Sequence, residues 1–381
     1  MTEIYLIRHA EAEGNIYRRA HGVYDSLVSP KGRRQIDALA ERFRDVHIDA
    51  LYSSGLKRTR QTAGAVLRTH EGLPLLTERG LTEINMGSWE DQPWGNLTYQ
   101  YPEAMAAFNN DPERWQAPGA ESFSQLRRRM RDTVLDIAAR HPGQTVACVS
   151  HGTAIRSLVS GILGVSSREM HKVPHGDNTS VTLLRVENGS MSVEYFNDNS
   201  HLPPELSTFS RQSWWRSTGS LDDGNLRFEP LDPGTEPELY IEMYKNTWLS
   251  VHGTLDGFDA AFYLERAKRH FQANGQAVVK AIKAGRVVGV TELDTLRFSG
   301  EGVGWISLCF IEEAERRHLL GVQLLGHAVS LYRDLGRRVL RLSVYEKNEG
   351  AIAFYKAYDF KVTGTSEGAL GPLLVMEKQL G

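Results

Sequence analysis

At 381 residues the chain is too long for one ordinary hydrophobic core, so two domains are expected. Charged residues make up 24% and apolar residues 41%, which are globular proportions, and a net charge of −3 gives no case for a nucleic-acid or bulk membrane partner. No apolar run approaches a bilayer span, and the opening Met1-Thr2-Glu3-Ile4 enters a strand directly, so no signal peptide is expected. Cys148 and Cys309 lie in apolar runs and read as buried thiols in a reducing, cytoplasmic setting, with no disulfide and no zinc site.

In chain order, Ile4 to Ile7 is an apolar strand that ends on Arg8 and His9, ahead of the polar loop Ala10 to Asn15. Ligands of open α/β sheets sit at the carboxyl ends of strands. A neutral imidazole there can attack phosphorus, and a guanidinium beside it can grip two phosphate oxygens. Taken alone, the stretch reads equally well as a strand that happens to end in Arg-His. Ser29 then caps a helix whose apolar face is Ile36, Leu39, Ala40 and Phe43. Ile48 to Tyr52 is a short strand, and the turn from Ser53 feeds a helix that carries Arg58 near its start. A phosphate there would meet a guanidinium and free helix amides; the bland alternative is a solvated helix charge.

Glu83 precedes an aromatic, glycine-containing turn, where partial burial would raise a carboxyl pKa toward a proton donor's range. Pro102 to Ala117 reads as a helical cap. Ser122 to Ala139 is a long helix with Phe123, Leu126, Met130, Val134, Leu135 and Ile137 or Ala138 inward. Thr145 to Val149 is the most apolar strand of this half; it ends in Ser150-His151-Gly152-Thr153, and Ala154 to Leu163 is the next helix. Two histidines and two arginines at strand ends place two imidazoles and two guanidiniums on one sheet rim, which suits a phosphoryl group. Val181 to Val186 and Ser192 to Phe196 close the half as strands.

These residues resemble the histidine phosphatase superfamily, the phosphoglycerate-mutase-like fold, over about residues 1–200. The match is carried by Arg8-His9, Glu11, Asn15, the Gly22…Asp25…Leu27…Ser29…Gly32…Gln35 run, Ser53…Leu56-Lys57-Arg58…Gln61-Thr62-Ala63, Leu81…Glu83…Gly87…Trp89-Glu90 and Val149-Ser150-His151-Gly152. Ala10 departs from a usual glycine. The resemblance implies a three-layer α/β/α domain in which His9 is the nucleophile and becomes a phosphohistidine. It implies that Arg8, Arg58 and His151 bind the phosphoryl oxygens, that Asn15 is a further phosphate ligand, and that Glu83 protonates the leaving alcohol and then activates water. It implies no metal. The short span from Glu83 to His151 is similar to the phosphatase branch, such as alpha-ribazole phosphatases, and favours hydrolysis; a phosphoglycerate-mutase activity stays open. Trp89 to Trp115, with Tyr17, Arg18 and Arg19, is expected to set the substrate.

At the junction, Leu206 to Trp215 reads as a short helix and Arg216 to Gly224 as a linker, giving domains at 1–210 and 225–381 with 211–224 between them. In the second half, Leu226 to Pro230 is a strand, and Glu236 to Val251 and Asp259 to Asn274 are amphipathic helices. Ala277 to Ile282, Val287 to Leu293 and Val303 to Ile311 are strands. Arg316-Arg317-His318-Leu319-Leu320-Gly321 is a basic turn before a helix that runs to about Leu335. Val339 to Val344, a helix opened by Asn348, Phe360 to Val362 and Leu373 to Lys378 complete the half. A strand, a basic turn and a helix start can cradle a pyrophosphate, although such turns are more often solvated.

Val344…Asn348…Ala351-Ile352…Phe354-Tyr355…Phe360 resembles the closing motif of GNAT-type N-acyltransferases, and the order of elements from Leu226 to Gln379 agrees. The resemblance implies a mixed α/β domain that binds acetyl-CoA between two splayed strands at Cys309, Phe310 and Ile311. The pyrophosphate would meet the turn and helix start at Arg316, Arg317, His318, Leu320, Gly321 and Val322. Asn348 and Tyr355 would complete the site, with Tyr355 protonating the departing thiolate. Leu319 and Asp359 stand where the family favours glycine. Glu292 is a candidate general base, with a water chain as the alternative. The expected whole is a phosphomonoesterase for small phosphate esters joined to an acetyltransferase, with a homodimer left open. A C-terminal half that only binds or dimerises is the alternative.

Overall fold

Strand pairing builds two sheets, one in each half of the chain, in the computed structural model, which describes residues 1–210, 224–368 and 371–381. The described residues divide into two units, Met1–Gln92 with 97–210 and Pro93–Asn96 with 224–381. Most of the expected junction, from 211 to 223 and including Trp214 and Trp215, lies outside the described residues. Residues 206–210 of the expected short helix form turns and bends.

The first sheet takes β1 (Thr2–Arg8), β2 (Ala50–Ser53), β3 (Leu75–Thr77), β4 (Thr145–Ser150), β5 (Val181–Glu187) and β6 (Ser190–Asp198) in the order β3-β2-β4-β1-β5-β6. The first four strands run parallel; β5 and β6 join antiparallel at one edge. The helices of this half of the chain are α1 (Glu13–Ile16), α2 (Pro30–Phe43), α3 (Lys57–Leu67), α4 (Trp94–Gln100), α5 (Pro102–Asn110), α6 (Phe123–Arg140) and α7 (Gly152–Ile162). Helices α2 and α3 cover one sheet face, where Ile36, Leu39, Phe43, Ala63 and Val66 pack on Ile7, Leu51, Ala147 and Val149. Each large aliphatic or aromatic side chain buried there contributes about 1.5–3 kcal/mol. Helices α6 and α7 pack together and against β1, giving the three layers.

The expected cap at Ser29 forms, and a second forms at Ser122. Ser29 Oγ accepts from the Gly32 amide at 3.0 Å, and Ser122 with Gln125 makes a capping box at the start of α6. Two expectations need adjustment: Leu135 is only half-buried, and the cap from Pro102 breaks after Asn110 into a short 3₁₀ turn at Pro112–Arg114.

The second unit has β7 (Arg227–Pro230), β8 (Val278–Lys283), β9 (Arg286–Asp294), β10 (Val303–Ile311), β11 (Val339–Tyr345), β12 (Lys361–Gly368) and β13 (Gly371–Gln379) in the order β12-β13-β11-β10-β9-β8-β7. Its helices are α8 (Pro237–His252), α9 (Ala260–Ala273), α10 (Gly321–Asp334) and α11 (Glu349–Ala357). Only β10 and β11 pair in parallel, and their ladder is short: Val303–Ile306 against Val339–Leu342. Beyond it β10 stays bonded to β9 as far as Ile311, and β11 to β13 as far as Tyr345. The two strands therefore part from each other while each remains held on its outer side. Among the described residues, no helix is long and apolar enough to cross a membrane.

Candidate functional site

Register assembles the first site. Arg8 on β1 is paired with Ser150 on the adjacent parallel β4, so the next residues, His9 and His151, leave the sheet side by side. Their ring centroids are 5.2 Å apart. Strand β2 ends one step away at Ser53, and α3, starting at Lys57, delivers Arg58 to the same rim. Arg58 is fully buried, which rules out the solvated reading of that residue.

His9 Nδ1 lies 2.7 Å from the Ala10 carbonyl, which can only accept, so Nδ1 carries the proton and Nε2 keeps its lone pair. Arg58 Nη2 donates to His151 Nδ1 at 3.1 Å, and His151 Nε2 in turn donates to Ser54 Oγ at 2.8 Å. Both His151 nitrogens are thus engaged, and a direct bond from His151 to a ligand would have to replace one of these partners. The Arg58 head also donates to the carbonyls of Tyr24 at 2.8 Å and Gly22 at 2.6 Å. Arg8 Nη1 donates to the Gly176 carbonyl. The Nε–H groups of Arg8 and Arg58 are buried without a partner, two donors with an unmet demand.

Glu83 reaches the start of α7 from its own loop. Its oxygens accept from the amides of Thr153 at 2.9 Å, Ala154 at 2.8 Å and Ile84 at 3.0 Å. Asn15 turns its Oδ1 to the Ala12 amide at 3.0 Å and its Nδ2 to His21 Nε2 at 3.4 Å. Gly152 lets Arg8 lie against the α7 start, since a Cβ there would sit 3.1 Å from Arg8 Nε.

Sequence reasoning passed over two parts of this site. One is His21, whose ring stands edge-on to His9 at 5.7 Å. The other is the loop 176–179: Asn178 Nδ2 donates to the His9 carbonyl at 2.9 Å, and the Thr179 amide donates to the Arg8 carbonyl at 3.2 Å. Neither carries a periodic signal; a histidine one residue before Gly22 and the acidic Asp177 were the available clues.

Burial, and then the fields of Arg58 and Arg8, hold His9 and His21 well below the usual histidine range. Burial and Arg58, followed by His9, do the same for His151. Burial lowers Arg58 to about 10, which still leaves it charged at neutral pH. The rim thus combines neutral imidazoles with buried cations, a polarity suited to an anion. The sign of the stability effect follows. Between the unfolded histidine value and the lower folded values, the unfolded chain binds more protons, so stability is lost as pH falls below about 6.5. Thermal unfolding between pH 7.5 and 5 is expected to show uptake of about three protons per chain from these histidines; a pH-independent midpoint would contradict their buried neutral state.

The second site follows from the parting of β10 and β11. Cys309 and Ile311 face one side of β10 with Leu320 and Leu324 of the turn and α10. Phe310 faces the opposite core with Tyr240, Met243 and Trp248, so its side chain is turned away from the site expected for it, and only its backbone can contribute. Cys309 is partly rather than fully buried. Tyr355 from α11 hydrogen-bonds with the Cys309 thiol, on the stretch of β10 that has left β11. Burial, and then that thiol, push the Tyr355 phenol well up, and burial pushes Cys309 up to about 12. Asn348 is the α11 cap, its Oδ1 accepting from the Ala351 amide at 3.1 Å.

The turn before α10 tests whether these residues fit a CoA pyrophosphate. Leu319 has φ 59° and Asp359 φ 69°, so both departures from glycine keep the left-handed backbone that glycine takes freely. Leu320 and Val322 are buried and can act only through their amides, while Arg317 and His318 are exposed. Arg316 ties the turn down, donating to the Ile311 carbonyl at 3.1 Å and to Ser250 Oγ at 2.8 Å. A Cβ on Gly321 would meet Phe354 only at 3.5 Å, an ordinary contact. The backbone cradle is therefore kept, and the residues fit the group, at a strain of about 1–2 kcal/mol for a left-handed leucine. Leu319→Gly is expected to leave acetyl-CoA affinity within about twofold by calorimetry, because the left-handed strain is already present in the free turn and cancels on binding; about a tenfold loss of affinity would contradict a cradle made of backbone amides.

Glu292 does not remain a candidate base. It is fully buried, and its two oxygens accept from Tyr240 Oη (2.7 Å), Arg266 Nε (2.9 Å), Arg266 Nη2 (2.8 Å) and His270 Nδ1 (2.7 Å). Burial pushes this carboxyl up, but the bonds from His270 and Arg266 outweigh it and hold Glu292 below the usual range. With its acceptor sites filled, it is a structural hub. Among the described residues, no group of three or more His, Cys, Asp or Glu is placed to hold a metal ion.

Comparison with known proteins finds a family match in each half of the chain. Residues 4–199 match the histidine phosphatase superfamily (branch 1), and residues 239–360 match the acetyltransferase (GNAT) family. Phosphoserine phosphatase 1 of Hydrogenobacter thermophilus is 30% identical over 202 residues, 53% of this chain and 95% of that protein. A Yersinia enterocolitica protein named "Probable phosphoglycerate mutase GpmB" is 34% identical over 199 residues, 51% of this chain and 86% of its own length. The solved structure of YhfR from Bacillus stearothermophilus superposes with a TM-score of 0.51 at 30% identity, over 53% of this chain and 99% of that one. The chain belongs to branch 1 of the histidine phosphatase superfamily, and residues 239–360 of its second half match the acetyltransferase (GNAT) family.

Proposed function

We propose that residues 1–210 hydrolyse small phosphate monoesters through a phosphohistidine on His9, without a metal, and that residues 225–381 acetylate an amine. The observation that carries the first part is the His9 imidazole, held by the Ala10 carbonyl with Nε2 unprotonated, beside the unpartnered Nε–H groups of Arg8 and Arg58. In this reading His9 Nε2 attacks phosphorus in line with the leaving oxygen. Arg8 and Arg58 neutralise the charge on the phosphoryl oxygens, which is most of what phosphoryl transfer requires; His151 and Asn15 would add neutral hydrogen bonds, each by giving up a present partner. Glu83 gives its proton to the leaving alcohol, then takes one from the water that opens the phosphohistidine. Splitting the displacement in two is covalent catalysis.

For the second part, acetyl-CoA would supply an activated acetyl thioester. Cys309, Ile311 and the backbone of Phe310 would hold it on one side, and the amides from Arg316 to Val322 on the other. Tyr355 holds a proton on Oη at neutral pH, as a donor for a departing thiolate must.

The name of the Hydrogenobacter relative supports an amino-bearing phosphate ester as the substrate class. Dephosphorylation would then leave an amino alcohol, a candidate acceptor for the acetyltransferase half. The name of the Yersinia relative favours a second reading, phosphotransfer that returns an isomeric ester. Phosphate release across a panel of phosphorylated metabolites, with EDTA and with or without acetyl-CoA, separates the two. Release from a narrow amino-bearing set supports the first reading. An isomer formed without net phosphate supports the second.

A further inference from the structure

Residues 206–210 run along the loops that flank His9 and are bonded to both. On one side, Asp177 Oδ1 accepts from the Thr208 amide at 3.0 Å and Oδ2 from Ser207 Oγ at 2.5 Å. Asp177 is followed by Asn178, the residue that holds the His9 carbonyl. On the other side, Thr208 Oγ1 donates to Glu11 Oε2 at 3.2 Å, two residues past His9, while Gln35 Nε2 donates to the Leu206 carbonyl at 2.7 Å. Lys31 Nζ closes the arrangement by donating to the Ser207 carbonyl at 3.0 Å. Between these anchors Phe209 is buried, with the Arg8 guanidinium 5.9 Å from its ring centroid.

We propose that residues 206–210 form an active-site strap in which Phe209 is a positioning residue for Arg8. The ring face backs the guanidinium, and the Asp177 and Glu11 anchors fix the ring. Arg8 makes one backbone bond, to Gly176, and its Nε–H has no partner, so its orientation depends on packing more than on hydrogen bonds. An aromatic face opposes rotation of the planar guanidinium and adds cation–π attraction. Phe209 touches no reacting atom in this account; its effect passes through Arg8.

The inference rests on the phosphatase reading, and its test is kept separate from it. Binding of inorganic phosphate to the full chain is measured by calorimetry, which needs no knowledge of the natural ester. Aryl phosphate turnover, with His9→Ala as control, reports on the phosphatase reading itself. Phe209→Ala is expected to weaken phosphate binding about tenfold and raise KM to match, with kcat within about twofold. Phe209→Tyr is expected to restore both. Phe209→Leu keeps apolar volume without the ring face, serves where the alanine variant fails to fold, and is expected to weaken phosphate about threefold. Unchanged phosphate affinity in Phe209→Leu, or no recovery in Phe209→Tyr, overturns the proposal. So does a fall in kcat with phosphate affinity intact.

Discussion

His9→Ala is expected to lower phosphatase turnover by about 10⁴-fold or more, the scale seen when a covalent nucleophile is removed from a site whose parts act together. The structure explains why nothing nearby replaces it. His151 has both ring nitrogens engaged, by Arg58 and Ser54, and His21 receives Asn15 on its Nε2. Phosphate binding is expected to survive within a few-fold, because Arg8 and Arg58 do not lean on the His9 ring. The fold should survive too: the lost imidazole makes one backbone bond, to Ala10. Steady-state kinetics with circular dichroism checks both. Turnover within tenfold of the parent would remove His9 as nucleophile.

The second large effect concerns Arg58, which joins site to scaffold. Its guanidinium donates to the carbonyls of Tyr24, Gly22 and His21 and to His151 Nδ1. Glu90 shapes the loop that presents those carbonyls, accepting from the amides of Val23, Tyr24 and Met86. Gly22 is required in it, since a Cβ would fall 2.0 Å from the Ile84 carbonyl. Arg58→Ala would leave buried carbonyls without donors and the His151 tautomer unfixed. The expected cost is about 3 kcal/mol of stability, together with about a 10³-fold loss in kcat/KM. Arg58→Lys should recover little, because an ammonium cannot present the same fork to three carbonyls and an imidazole. Near-parental activity in the lysine variant would mean that Arg58 supplies charge alone.

Much of the first site was legible because register and spacing travel together. Arg-His and Ser-His-Gly each follow an apolar run, and adjacent parallel strands that end in register must bring the two histidines together. The Gly22, Asp25, Ser29, Gly32 and Gln35 pattern proved to be scaffold: Asp25 accepts from the Lys57 amide at 2.7 Å, and Gln35 from the Glu11 amide at 2.8 Å. Strand β3 escaped notice because three residues cannot establish an alternation. His21 escaped because its partners, the His9 ring and Asn15 Nδ2, come beside it only in the fold, and the loop 176–179 because it bonds to backbone far away in sequence. Ala10, a departure from glycine, is fully buried and outside the left-handed region, so it needs no special backbone freedom.

In the second domain, Leu319 and Asp359 stand where the family favours glycine, and both take the positive φ that glycine takes freely, which the residue types alone did not show. Glu292 misled for a different reason. A carboxylate on a strand resembles a base until its neighbours are known, yet Arg266 and His270, four apart on α9, are spaced to meet a buried acid from one helix face. Phe310 fell on the wrong face because successive strand residues point to opposite sides, so Cys309 and Ile311 cannot share a face with the residue between them.

The central claim is tested most directly by trapping the covalent species. The full chain is mixed with a ³²P-labelled ester, quenched in base within milliseconds, and digested to locate the label. The expected result is a base-stable, acid-labile phosphoryl group on the peptide containing His9, absent from His9→Ala and formed equally well in EDTA. Turnover without any labelled peptide, or label that persists in His9→Ala, would contradict it.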